Sequence, residues 1–316
     1  MNVSIGVCTW NRCALLRQGL EAMTELVIPA GVNWEVLVVN NNCTDATDDV
    51  VRSFEGRLPI RGLFEAKPGK SNALNKATRE AKGECILWTD DDTRVDPGWL
   101  AAYCRAFERW PNAAVIGGAV DPWFEGRPPR WLERAMVTIA SAYAVRDFGA
   151  EPLVLTDVVV PFGANMAVRR EVQVKYTYDT ALGPRPGSPL RGEETAIVRH
   201  MLDDGLEGWW IPDARVRHFI PKSRQRVSFL REFFFGQGLK EAVELPLRKG
   251  SHVFGTPRYL WRQAVESEVK YRLGRLFATP EVWARDLANA AQVWGQISSY
   301  RTRRRAAAAT ADEHAA

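Results

Sequence analysis

Residues 85–93 read Cys-Ile-Leu-Trp-Thr-Asp-Asp-Asp-Thr. Four apolar side chains in a row, two residues past Gly83, make a short buried strand, and three adjacent carboxylates end it. The same grammar occurs twice upstream. Val3–Val7 runs into Thr9-Trp10-Asn11-Arg12, and Glu35–Val39 runs into Asn40-Asn41-Asn42. Ile60–Phe64 is a further strand candidate. Helical signals lie between these strands: Arg12–Leu26 by its apolar spacing, Thr44–Phe54 by acidic first turns, Ser71–Ala81 by propensity, and a segment from about Pro97 to Arg109. Strands alternating with helices imply parallel pairing and a doubly wound α/β sheet. Such sheets bind ligands beyond the carboxyl ends of their strands. Three polar clusters after three neighbouring strands would therefore line one crevice.

The chain has 316 residues, 46% of them hydrophobic and 25% charged, with 24 Gly and 18 Pro, an ordinary globular composition. No apolar run reaches the roughly 18–20 residues a bilayer crossing needs. The opening MNVSIGVCTWNR lacks a signal-peptide layout, so a cytoplasmic location is expected. Cys8, Cys13, Cys43, Cys85 and Cys104 form no CxxC pair and read as reduced, space-filling thiols rather than a disulfide framework or zinc site.

Charge is uneven. Residues 1–214 hold 23 Lys and Arg against 29 Asp and Glu, whereas residues 215–305 hold 19 against 7. A basic C-terminal third suggests an anionic partner. Nucleic acid is not expected, because the RNP pattern, zinc spacing and basic-zipper heptads are all missing. Residues 221–305 read as helical. Trp283, Leu287, Ala290, Trp294 and Ile297 form one stripe, with Arg301 and Arg303–Arg305 behind. The stripe suits either an interfacial helix on an anionic membrane or packing against the body. Residues 306–316 read as a disordered tail.

Val115–Val120 reads as a strand, and the Pro- and aromatic-rich Asp121–Trp131 as loop. Val158–Val168 reads as a strand interrupted by Gly163-Ala164-Asn165, where glycine suggests a bulge or a close ligand approach. Residues 183–192, GPRPGSPLRG, read as loop before a helix from Glu193 to about Asp204. Trp209–Ile211 and Arg215–His218 read as two short strands.

Chemistry concentrates in a few places. Asp90, Asp91 and Asp92 repel one another unless a cation or water offsets the charge. Hard oxygen donors suit Mg²⁺ or Mn²⁺, which bind one or two carboxylates together with substrate phosphates. A solvated acidic turn capping the next helix is the plainer alternative. Glu193 and Glu194 open a helix, where carboxylates are favoured by the helix dipole, and one of them could take a proton from a bound hydroxyl. Lys67–Asn75 looks like an anion-cradling loop before a helix, without Walker spacing. Asn11, Arg12 and Asn40 carry groups able to read a base or ribose. His218 is a candidate further metal ligand or phosphate contact.

Six segments in this order, VSIGVCTWNR (3–12), EVLVVNNNCTDAT (35–47), GKSNALNKA (69–77), CILWTDDDTRVDPGWL (85–100), PFGANMAVRRE (161–171) and GEETAIVRHMLDDG (192–205), resemble the family 2 glycosyltransferases. With His218, the resemblance covers some two-thirds of the chain. It implies the GT-A fold, a Rossmann-like mixed sheet with helices on both faces, over residues 1–220. It implies inverting transfer of a sugar from a nucleoside-diphosphate donor, UDP-type by preference, to a glycan or lipid-linked acceptor in bacterial surface polysaccharide or glycoconjugate synthesis. A non-catalytic sugar-nucleotide or carbohydrate-binding module on the same fold is the alternative. By resemblance, Thr9, Asn11, Arg12 and Asn40 hold base and ribose, although Asp is more usual at position 40. Asp90 and Asp92 take the DxD positions. Asp92, with His218, is the expected ligand of Mn²⁺ or Mg²⁺, and Asp90 and Asp91 contact the donor. Lys70 and Asn75 share donor contacts, because Leu74 stands where many members have Arg. Gly163 and Asn165 border sugar and acceptor. Glu194, or its neighbour Glu193, is the general base. Without a spanning helix, the chain is expected on the inner face of the membrane as a peripheral protein, not as a pore-forming synthase.

Overall fold

A computed structural model describes residues 1–184, 192–244 and 252–313, with side chains to 243 and to 303 in the last two stretches. In chain order the elements are β1 (Asn2–Thr9), α1 (Cys13–Met23), β2 (Asn33–Asn40), α2 (Thr47–Ser53), β3 (Ile60–Phe64), α3 (Lys70–Glu80), β4 (Cys85–Asp90), β5 (Thr93–Val95), α4 (Trp99–Arg109), β6 (Val115–Phe124) and α5 (Arg130–Ile139). They continue with β7 (Leu153–Val154), β8 (Asn165–Arg169), α6 (Arg170–Gln173), α7 (Glu193–Asp203), β9 (Gly208–Ile220), α8 (Val227–Glu244), β10 (His252–Val253), β11 (Thr256–Pro257), α9 (Arg258–Phe277) and α10 (Pro280–Glu313).

The described residues form two compact units: one from Met1–Trp123 with Ala144–Phe219, the other from Phe124–Tyr143 with the chain from Ile220 onward. The first unit is built on a nine-stranded sheet of order β3-β2-β1-β4-β8-β6-β9-β5, with β7 beside β9. β1 runs parallel to β2 and β4, and β2 parallel to β3, whereas β8 is antiparallel to β4 and β6. The sheet is therefore mixed, and its parallel half carries the 3-2-1-4 order of a nucleotide-binding crossover. Alternation along the strands assigns each face its helices. Ile5, Val7, Val36 and Val38 bury against Leu16 and Leu20 of α1 and Trp99 and Tyr103 of α4. Leu37, Val39, Ile86 and Trp88 bury against Ala73 and Ala77 of α3 and Val198 and Met201 of α7.

Three sequence boundaries move. The segment expected as loop at Asp121–Trp131 is taken at its ends by β6 and α5. The expected strand at Val158–Val168 is regular only from Asn165, because residues 158–164 turn before entering the sheet. The two short strands expected near His218 are one, β9, as its alternating burial shows. Of the loop at 183–192, residues 185–191 lie outside the described residues. All five cysteines are free. Burial pushes the Cys85 thiol up to about 12 and Cys104 up to about 11, so neither is a thiolate at neutral pH.

The second unit is helical. The α10 stripe turns inward: Trp283, Leu287, Ala290 and Ile297 are buried, and Trp283 stacks near Trp131 and Tyr271. Trp283 is core, and Trp294, half-buried, packs edge-on against Trp261 (6.1 Å between ring centroids), so the stripe takes the packing alternative rather than the interfacial one. α10 also continues to Glu313 where a disordered tail was expected; the alanine run has the highest intrinsic helix propensity. Helices α8 and α10 approach through paired glycines. A methyl group on Gly238 would sit 1.8 Å from the Gln292 carbonyl oxygen, and one on Gly295 would sit 2.1 Å from that of Phe235.

Gly236, also on α8, faces open space. Two substitutions on one helix should therefore differ in sign. Gly238→Ala is expected to destabilise by about 3 kcal/mol through overpacking, and Gly236→Ala to stabilise by up to about 1 kcal/mol through helix propensity. Urea titration followed by far-ultraviolet circular dichroism measures both.

Candidate functional site

Strand register gathers the polar clusters. Thr9 at the end of β1 lies opposite Asn40 of β2, and Cys8 lies opposite Asp90 of β4. The strand order reverses between β1 and β4, where α/β sheets open a ligand crevice. Antiparallel pairing of β5 with β9 sets His218 opposite Thr93.

The asparagines at this edge build loops. The Asn40 carboxamide donates to Asp48 Oδ1 (2.8 Å) and accepts from the Cys43 amide (2.7 Å). Asn41 donates to the carbonyls of Glu65 and Lys67 and accepts from the Gly69 amide, fixing the approach to α3. Asn11, at φ +53, accepts from the Thr44 amide (2.7 Å). Asn11 and Asn40, expected to read base and ribose, thus have carboxamides engaged in shaping the rim.

The aspartate run is held from below. Thr9 Oγ1 donates to Asp91 Oδ2 (2.8 Å), and Arg12 Nη1 donates to Asp91 Oδ1 (3.0 Å) and Asp92 Oδ2 (2.8 Å). Arg12 therefore offsets part of the charge of Asp91 and Asp92, and Asp91 anchors the run. Burial pushes the Asp91 carboxyl up to about 6, with Arg12 pulling it down and the Asp92 charge adding to the rise. Asp92 Oδ1 lies 3.4 Å from His218 Nε2, and the backbone joins them too, the Phe219 amide donating to the Asp92 carbonyl (2.8 Å). His218 is buried, and its Nδ1 has no hydrogen-bond partner.

Lys70, first residue of α3, joins two acidic clusters. Its Nζ lies 2.6 Å from Asp90 Oδ1, 2.6 Å from Glu194 Oε1 and 4.0 Å from Glu193 Oε1. Burial opposes charge on Lys70, but Asp90, Glu194 and Glu193 outweigh it and hold its pKa well above the ordinary lysine value. Asp90 is likewise pushed up by burial and pulled down further by Lys70, so it stays below the usual aspartate range. Both glutamates occupy the first turn of α7, after Gly192 at φ +105. Burial and then the Glu194 charge push Glu193 up to about 7, with Lys70 opposing. Gly163 is bare because Glu194 fills its Cβ position: an added methyl would lie 2.3 Å from Glu194 Oε1.

The charge ledger bears on a metal. Among the described residues, five acids, Asp90, Asp91, Asp92, Glu193 and Glu194, face two permanent cations, Arg12 and Lys70. Burial raises the Asp91 and Glu193 carboxyls, and the neighbouring Asp92 and Glu194 charges add to the rise. Among the described residues no group of three or more Asp, Glu, His or Cys forms a closed metal cage. Asp92 and His218 offer one carboxylate and one imidazole side by side, both buried. That pair fits Mn²⁺ or Mg²⁺ whose remaining positions are filled by substrate phosphates and water.

One expected contact is corrected. Asn165 is fully buried and saturated: Oδ1 accepts from Trp99 Nε1 and Tyr103 OH, and Nδ2 donates to the carbonyls of Ala119 and Ala214, each at 2.7 Å. It clamps β8, β6, β9 and α4 and cannot reach a substrate. Asn75 gives its carboxamide to the backbone of Tyr178 (2.8 and 2.9 Å). Asn41, expected only as a member of the polar cluster after β2, turns out to tie the loop before α3, and Gly183 was not foreseen. The latter, at φ +90, passes close to Ser71 and Glu193, and its only sequence signal was membership of a Gly- and Pro-rich loop.

A family model described as "Glycosyl transferase family 2" matches residues 4–176. The chain belongs to glycosyl transferase family 2. It is accordingly a glycosyltransferase, and the reading as a non-catalytic module falls away. The matched stretch holds Asp90–Asp92 and Lys70 and ends before Glu193, Glu194 and His218. The family member from Haloferax volcanii named glucosyl-dolichyl phosphate glucuronosyltransferase is 24% identical over 255 residues, 77% of each chain. The Rhizobium meliloti succinoglycan biosynthesis protein ExoM is 25% identical over 243 residues, 75% of this chain and 73% of its own. Among solved structures, the Pyrobaculum calidifontis mannosyltransferase PcManGT, in complex with GDP-Man and Mn²⁺, aligns at TM-score 0.55 and 20% identity over 97% of this chain and 75% of its own. S. aureus TarS 1-349 in complex with UDP-GlcNAc aligns at 0.51 and 15% over 96% and 92%. At these identities the likeness is one of fold, the GT-A architecture of the first unit with helices following it.

Two measurements test this geometry. Asn165→Ala strips partners from four buried groups and should cost roughly 3 kcal/mol or more in urea unfolding, while KM for donor stays unchanged in the folded fraction. Folded Glu193 keeps its proton up to about pH 7, whereas the unfolded chain releases it in the ordinary glutamate range. Wild-type stability therefore falls as pH rises through that window. Relative to wild type, Glu193→Gln should gain up to roughly 3 kcal/mol between about pH 5 and about pH 8; a flat difference would refute the buried shift.

Proposed function

We propose that this family 2 chain transfers a sugar from a nucleoside-diphosphate donor, with inversion, to a hydroxyl of a glycan or lipid-linked acceptor. The observation that carries the proposal is the Lys70 ammonium, 2.6 Å from both Asp90 and Glu194. It brings the DxD aspartates and the opening glutamates of α7 to one point, as a donor site facing a base requires.

In this reading Glu194 takes the proton from the acceptor hydroxyl. The freed oxygen attacks the anomeric carbon as the bond to the diphosphate breaks, a single displacement that inverts the centre. Lys70 and Arg12 face the growing charge on the leaving diphosphate, and the fixed triplet orients the donor. Gly163 leaves Glu194 room beside β8. Asp92 and His218 would hold Mn²⁺ or Mg²⁺, which when bound neutralises diphosphate charge. Loops tied by Asn11, Asn40 and Asn41 border the base, for which a uridine type is proposed. Two neighbours of this fold hold GDP-Man with Mn²⁺ and UDP-GlcNAc, which supports the donor class and leaves both bases for the screen. The archaeal relative's name includes glucosyl-dolichyl phosphate, which supports a lipid-linked acceptor. Surface polysaccharide or glycoconjugate synthesis, at the inner face of a membrane, is the setting proposed. No described helix is long and apolar enough to cross a bilayer.

Glu194→Gln and Asp92→Ala should each lower transfer by about a thousandfold or more while melting close to wild type. Product release from UDP- and GDP-sugars, with and without Mn²⁺, reads this out. Wild-type turnover in either variant would overturn the assignment.

A further inference from the structure

Helix α9 is apolar on two opposite sides. Leu260 and Ala264 are buried in the core of the second unit with Ile297 and Tyr300 of α10. The opposite side carries Val265, Val269, Leu273 and Leu276, spaced four, four and three residues apart and therefore one above the other. They are 58%, 49%, 56% and 73% exposed. Phe277 closes the helix at 85% exposure, and Phe254, in the turn between β10 and β11, stands out at 82%. A globular surface helix normally keeps one apolar stripe and turns it inward. A second continuous stripe facing outward marks a docking surface.

The charges around the stripe identify what docks. Arg258, Arg262, Lys270, Arg272 and Arg275 are exposed on the same helix. The acids within it are already engaged: Glu266 with Arg262 (3.6 Å), and Glu268 with Arg272 (3.0 Å) and Arg231 (3.3 Å). An apolar stripe fringed by arginine and lysine, with aromatic rings standing out near both ends, is the pattern of a helix lying in the interface of an anionic bilayer. Long basic side chains there reach up to headgroups while their stems cover apolar surface. A second copy of the chain would set arginine against arginine along the same stripe.

We propose that the outward face of α9, with Phe254 and Phe277, is the surface by which this protein lies on an anionic membrane. This assigns the contact to α9, not to the tryptophan stripe of α10, which packs inward. It rests on the membrane setting proposed above, names the surface that makes the contact, and is independent of the transfer chemistry.

The test is co-sedimentation of the full chain with phosphatidylcholine vesicles, plain or containing roughly a third phosphatidylglycerol. Wild type should pellet with the anionic vesicles and at least about tenfold less with the plain ones. Val269→Glu/Leu273→Glu, both changes on exposed positions, should lose about tenfold or more of the anionic binding, with unchanged melting and unchanged transfer to a soluble acceptor. Asp92→Ala should pellet as wild type does, so docking and catalysis fail separately. Three results would overturn the proposal: wild type staying in solution with anionic vesicles, the double variant pelleting like wild type, or sedimentation velocity without vesicles showing a dimer that the double variant splits.

Discussion

One ammonium organises the site. Lys70 is half-buried, where a lone charge is costly, and Asp90 and Glu194 offset that cost by closing on it from two elements. Removing either acid leaves that cation half-paired, and removing Lys70 leaves two carboxylates facing each other. The carboxyl edge of β4 and the first turn of α7 are thereby locked together before any substrate arrives. Arg12 does the same below, tying Asp91 and Asp92 to the end of β1. Pre-set charge of this kind stabilises a developing anion without reorganisation at the moment of reaction.

Burial turns a motif into a tuned set of groups. Asp90 and Asp91 are neighbours of the same chemical type, and burial pushes both up; Lys70 overcomes it at Asp90, which sits below its ordinary pKa, whereas at Asp91 Arg12 does not, and the Asp92 charge adds to the rise. Glu193 and Glu194 likewise differ in what they touch: the first accepts from the Gly192 amide, and the second meets Lys70 and the bare backbone at Gly163.

Much of this was legible in the residues. The parallel strands announce themselves because both their faces are buried, so that Val36–Val39 and Cys85–Trp88 are continuous apolar runs. The clusters behind them follow from strand order alone. What escaped is what depends on distant partners. Asn165 looks like a ligand reader within Gly-Ala-Asn, but its four partners come from Trp99, Tyr103, Ala119 and Ala214, 46 to 66 residues away. The loop-building role of Asn11 and Asn40 was hidden for a plainer reason, since asparagine serves turns and ligands with the same carboxamide. The α10 tryptophans read equally well as core or surface until their partners decide it, Trp131 and Tyr271 for Trp283 and Trp261 for Trp294. On α9 two opposite apolar stripes cancel the periodicity by which an amphipathic helix is recognised.

The contact of Gly163 with Glu194 couples two positions 31 residues apart into one dimension of the enzyme. The Glu194 side chain lies across a backbone that offers no side chain of its own, so the reach of this carboxylate and the bareness of the strand entrance are a single trait. An added methyl at 163 would meet the Glu194 Cγ at 2.4 Å as well as the carboxylate. Shortening the acid by one methylene therefore does not free the strand entrance, and the bare backbone there is demanded by the stem of residue 194 as much as by its charged end.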